Sequence, residues 1–151
     1  MSQQDDAINT LEQLIETCRD GQNGYRDAAE HIKSPEIRNW FNQQSLERGQ
    51  FAGELEAQVQ RLGKADPDRK GSVSGALHRK WFELKEKLGG SDESVLSEVE
   101  RGEDNAKHNY EEALKKDLPA DIRSIVERQA QSVFIAHDRA KILRDQFKNA
   151  A

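Results

Sequence analysis

Between residues 34 and 62 the apolar side chains Ile37, Trp40, Phe41, Phe51, Leu55, Val59 and Leu62 return at steps of three and four. That spacing predicts one long amphipathic helix whose stripe lies against other helices. Ser34-Pro35-Glu36 is a start signal: a hydroxyl to cap, proline at the first helical position, and an acid in the first turn. Nothing breaks the pattern before Gly63. Gln44 and Glu47 fall on the same stripe, halfway along. A carboxylate inside a packed seam is costly unless it is paired, hydrogen-bonded or bound to a metal. The partner of Glu47 is therefore the question this pattern raises.

Three more long helices follow from the same reading. Over about residues 6–33 the inward set is Ile8, Leu11, Ile15, Cys18, Gln22, Tyr25, Ala29 and Ile32, a heptad seam with Gly21 and Gly24 inside it. Those glycines allow close helix approach or a mild bend. Over about residues 92–117 it is Val95, Leu96, Val99, Glu103, Ala106, Tyr110 and Ala113. Over about residues 119–148 it is Ile122, Val126, Gln129, Val133, Ala136, Ala140, Leu143 and Phe147. The links at Ser34 and at Leu118-Pro119 are short, so each joins an antiparallel hairpin.

Residues 63–73 hold the loop formers Gly63, Asp66, Pro67, Asp68, Gly71 and Ser72, and a shorter helix is predicted over about 74–88, with Leu77, Trp81, Leu84 and Leu88 on one face. A helix of roughly 26–30 residues is about 40 Å long. About eleven extended residues reach roughly 36 Å and the short helix adds about 20 Å, enough to carry the chain along the bundle. The expected fold is all-α: a ferritin-like four-helix bundle of two antiparallel hairpins, with a short extra helix in the long crossover between helices 2 and 3.

Composition narrows the function. At 151 residues the chain fits one domain, 1–151. Hydrophobic and charged residues each make up 34%, which suits long solvated amphipathic helices. A net charge of -5 argues against non-specific nucleic-acid binding. The acidic helix faces argue against a membrane surface, and the longest apolar run, Val133-Phe134-Ile135-Ala136, is far too short to span a bilayer. The polar start Met1-Ser2-Gln3-Gln4-Asp5-Asp6 is no signal peptide, and Cys18 is the only cysteine. A cytoplasmic, reducing location is expected.

In ferritin-like bundles a di-metal site sits in the core, drawing a Glu from each of two helices and a Glu-x-x-His from each of the other two. Glu47 and Glu103 have the right depth. The rest of the set is missing: Gln50 stands three residues after Glu47, Ala130 three after Glu127, and Cys18 occupies an inward position of the first helix. His137 borders the last seam and offers a nitrogen from another level. Two readings follow. One is a polar core layer in which Gln22, Gln44, Glu47, Glu103 and Gln129 bond one another, with Gln50 beside it. The other is a weak metal site of Glu47, Glu103 and His137 for iron or manganese.

Other candidates carry less. Asp104 and His108 are one turn apart and fit a solvated face. His78 fits packing beside Leu77 and Trp81, and Cys18 fits a small buried hydrophobe. Gly49 and Gly53 make a small-residue face suited to packing on the short helix or to a homodimer contact.

Leu14-Ile15-Glu16-Thr17-Cys18-Arg19-Asp20-Gly21, Gly75-Ala76-Leu77-His78-Arg79-Lys80-Trp81 and Glu100-Arg101-Gly102-Glu103-Asp104 resemble, in order, the signatures of an uncharacterised bacterial family of ferritin-like bundles, domain of unknown function 2383. The resemblance implies the ferritin-like fold and no activity. The expectation is a non-enzymatic, stress-associated scaffold or binding protein with no catalytic residues, no resident cofactor and a protein partner the sequence does not name. The alternative is a ferritin-like metal-binding protein with an incomplete di-metal site.

Overall fold

Serines open three of the four described helices. In the computed structural model, which describes residues 2–64 and 91–150, the Ser2 hydroxyl accepts from the Asp5 amide, Ser34 from Ile37 and Ser91 from Ser94. Each satisfies one of the amide donors that a helix start leaves unpaired. The helices are α1 (Gln3–His31), α2 (Pro35–Arg61), α3 (Asp92–Leu114) and α4 (Ala120–Ala150). With 23 to 31 residues each, they are about 35–47 Å long. Gly63, at φ 104°, turns the chain out of α2 where a side chain would strain the backbone. The short helix predicted over 74–88 lies outside the described residues.

Both hairpin corners use the same device. Arg38 of α2 donates to the carbonyls of Ala29 (3.2 Å) and Ile32 (2.6 Å) at the end of α1. Arg123 of α4 donates to those of Leu114 (2.9 Å) and Lys116 (2.5 Å) at the end of α3. A guanidinium therefore satisfies the orphan carbonyls of each first helix from the start of the second.

The order around the bundle is α2–α1–α3–α4, since backbones approach closely between α1 and α2, α3 and α4, and α1 and α3, with a lesser contact between α2 and α4. Helices α2 and α3 thus face each other across the diagonal. The start of α3 meets the α1–α2 corner, where the Asp92 carboxylate accepts from the amides of Lys33 (2.8 Å) and Ser34 (3.2 Å). Lys64, at the end of α2, lies at the other end of the bundle, where its amine meets Glu12 near the start of α1. The chain therefore leaves α2 at one end of the bundle and enters α3 at the other, as the ferritin-like arrangement requires.

The core has two apolar clusters. One holds Leu11, Leu14, Phe51, Leu55, Val59, Ile122, Val126 and Val133. The other holds Tyr25, Ile32, Trp40, Phe41, Leu96, Val99 and Ala140. No described helix is long and apolar enough to cross a membrane.

Asp92→Ala removes the side-chain hydrogen bonds described between the α1–α2 corner and the start of α3. It is expected to lower unfolding free energy by about 1–2 kcal/mol in urea titrations, with the denaturant slope unchanged.

Candidate functional site

Polar groups gather where the two apolar clusters meet. Arg48 of α2 is 1% exposed and Glu103 of α3 is fully buried. The guanidinium donates through both terminal nitrogens to both carboxylate oxygens, at 2.7 and 2.6 Å, the bidentate geometry that makes such a pair strong. The Tyr25 ring of α1 lies 5.5 Å from the guanidinium carbon. Burial alone would strip the guanidinium of its proton more easily, but the charge and hydrogen bonds of Glu103 outweigh it and raise the Arg48 pKa. Gly21 of α1 makes room for this side chain: a Cβ there would stand 3.0 Å from an Arg48 terminal nitrogen and 3.3 Å from its Cγ.

Beside the pair runs a second chain of bonds that touches all four helices. The Tyr110 hydroxyl (α3) donates to the Gln129 carbonyl (α4) at 2.7 Å, and Cys18 Sγ (α1) lies 3.0 Å from the same hydroxyl. The Gln129 amide donates to Glu54 (2.8 Å) and to the Phe51 carbonyl of α2. Burial pushes the Cys18 thiol up to about 11, against the lowering effect of Tyr110, so it stays protonated at neutral pH. That places it with buried structural cysteines rather than nucleophiles.

Asp20 completes the level. It is buried beside a cavity of about 10 Å³ lined also by Thr17, Gly21, Arg48, Gly102, Glu103, Asn105 and Ala106. Burial, with the Glu16 charge one turn away, pushes its carboxyl up to about 7. A carboxyl this close to neutral pH, inside a polar layer, is a site feature in its own right.

The residues expected to form a metal site do not converge. Glu103 is taken up by Arg48. Glu47 is half-buried on the flank of α2, in a groove with Trp40, Gln44 and Arg139. His137, on α4, meets Asp104 of α3 through Nε2 at 2.5 Å and its neighbour Asp138 through Nδ1 at 3.1 Å. Burial would lower its pKa, but those two hydrogen bonds outweigh burial and raise it. Among the described residues, the one group of three metal-ligating side chains whose ligand atoms lie within 4.8 Å of one another is Glu100, Asp104 and His137.

The expected polar layer is partly assembled. Gln129 is its centre, fully buried. Gln22 is half-buried and accepts from Arg19, and Gln44 is half-buried with its carbonyl oxygen unpaired. Gln50 is exposed and stands outside the layer. The physical reason is a one-residue offset on two helices: the waist positions are Gly21 and Arg48, each next in the chain to Gln22 and Glu47. Arg48 was missed because arginine reads as surface. The signal that could have found it is the glycine in the facing seam, whose missing side chain a long neighbour must replace. Gly49 packs on α1, its Cβ position 2.6 Å from the Gln22 amide nitrogen, while Gly53 has nothing described within 4 Å.

Four helices among the described residues, with α2 and α3 parallel across the diagonal and a polar layer at the waist, define a ferritin-like bundle. The profile of the family described as Domain of unknown function (DUF2383) matches residues 6–116, and the chain belongs to that family. Among solved structures it is similar to a mutant of Dps1 from Mycobacterium smegmatis, 12% identical, at a TM-score of 0.80 over 95% of this chain and 99% of that one. At that identity the likeness carries the fold alone. No curated protein matches the sequence.

Arg48→Met leaves Glu103 buried without a partner and is expected to cost about 3–5 kcal/mol in urea unfolding. Adding Glu103→Leu is expected to recover most of that loss, because the buried carboxylate left without its partner is then gone.

The Asp20 shift has a pH signature. Its folded pKa lies above the ordinary carboxylate value near 4, so its stabilising effect is full below that value and is lost as pH rises toward about 7. Asp20→Asn should therefore melt several degrees above the wild type at about pH 8 and level with it at about pH 4. Thermal scans across that range check both ends.

Proposed function

We propose that this protein is a non-enzymatic ferritin-like bundle, a scaffold or binding protein that works through its outer faces. The observation that carries the reading is Arg48. A ferritin-like bundle that handles metal in its core gathers carboxylates and imidazoles there, around a cation. Here the cation at that level is a guanidinium already bonded to both oxygens of Glu103. Glu103 is not part of the one group of three metal-ligating side chains found among the described residues. The donor set, a guanidinium on a single carboxylate, does not fit a core di-metal centre.

The remaining core groups support the same reading. The Cys18 thiol is protonated and buried, and Tyr110 and Gln129 are engaged in the bond chain that crosses the bundle. Leu46 of α2 and Ile135 and Ile142 of α4 are exposed, and these are the apolar side chains that a partner would cover.

Metal-stripped protein mixed with ferrous iron in air is expected to oxidise it no faster than buffer, followed by ferric absorbance. Catalytic oxidation that disappears in Glu103→Gln would overturn the reading.

A further inference from the structure

Away from the waist, on the seam between α3 and α4, three ligands of the right types face one another. Glu100 and Asp104 stand one turn apart on α3, so both carboxylates point the same way. His137 approaches from α4, about nine-tenths buried, with Nε2 directed at Asp104. The group offers one nitrogen and two carboxylate oxygens within 4.8 Å of one another.

A second observation concerns the other face of the ring. Nδ1 of His137 is hydrogen-bonded to the Asp138 carboxylate at 3.1 Å. Metal-ligating histidines are held in this way: a carboxylate takes the N–H of one ring nitrogen and orients the other nitrogen toward the ion. Asp138 is exposed and packs on nothing else among the described hydrogen bonds and ion pairs. Its place in the arrangement is the orientation of the ring.

We propose that Glu100, Asp104 and His137 bind a divalent first-row transition cation, with Asp138 as the residue that positions the imidazole. One imidazole with two carboxylates suits zinc, iron(II) or manganese(II), in falling order of affinity from zinc. It does not suit copper(I), which needs sulfur, or magnesium, which prefers oxygen throughout. The ion takes the place now held by the hydrogen between His137 Nε2 and Asp104. It also competes with Arg144, whose guanidinium is bonded to Glu100. The site is independent of the scaffold reading, because it uses none of the waist residues and pins α3 to α4 whatever the bundle binds.

The test is calorimetric titration of metal-stripped protein with zinc, manganese and magnesium chlorides, beside thermal melts with and without each. One zinc ion per chain is expected, with weaker manganese binding and no magnesium binding at the same concentration. His137→Gln and Asp104→Asn should each weaken zinc binding by about tenfold or more. Asp104 is exposed, so its variant keeps the test valid if the histidine variant folds poorly. Arg144→Gln, which frees Glu100, should tighten zinc binding severalfold. Absence of zinc binding, or zinc binding left unchanged by both Asp104→Asn and His137→Gln, would overturn the proposal. So would looser binding in Arg144→Gln.

Discussion

The bond between Arg48 and Glu103 spans the diagonal of the bundle, where the backbones of α2 and α3 do not meet. Everything else at the waist is arranged around it. Gly21 leaves the volume that the arginine stem fills, and Tyr25 lays its ring beside the guanidinium. The two apolar clusters end on either side. A charge pair of this kind adds little net stability, because desolvation offsets the Coulomb gain. Its effect is on register. Leucine and alanine stripes tolerate a slip of one helical turn, about 5.4 Å. A slip of that size would leave two buried charges facing hydrocarbon, at several kcal/mol each.

The helices and their order were legible in the residues because they depend on spacing alone. Ser34, Pro35 and Gly63 mark the ends of α2, and they do so through backbone chemistry that no tertiary contact overrides. The crossover follows from length, since two short corners and one long connection leave a single arrangement. Glu103 was legible as an inward acid because it interrupts an otherwise apolar seam in α3. Its partner was not. On α2 the apolar stripe has a gap between Phe41 and Phe51, and both Glu47 and Arg48 lie within it. Periodicity places a gap to within a residue, about 100° of helix rotation, and that is enough to exchange an acid for a base.

The same one-residue ambiguity governs α1, where Gln22 was expected inward and Gly21 is. The two displacements are one event. A glycine facing an arginine makes a complementary pair, one side chain absent and the other long, and neither half is informative alone. His137 shows the limit of reading along one helix. Asp104 was weighed with His108, its neighbour one turn on, whereas the structure pairs it with an imidazole 33 residues away on α4. Sequence spacing reports partners on one helix and is silent about the partner across the seam.

A bundle of this shape places four inward side chains at each level, and a central level of acids must be neutralised by something. A metal ion does this with ligands from all four helices, and removal of the ion leaves the acids to repel. A guanidinium does it covalently tethered to α2, always present and always charged. The second solution balances the buried acid with a side chain of the protein itself. Glu100 and Asp104 flank Glu103 on the same helix, yet they point toward the α3–α4 seam, where the His137 imidazole meets Asp104 and the Arg144 guanidinium meets Glu100.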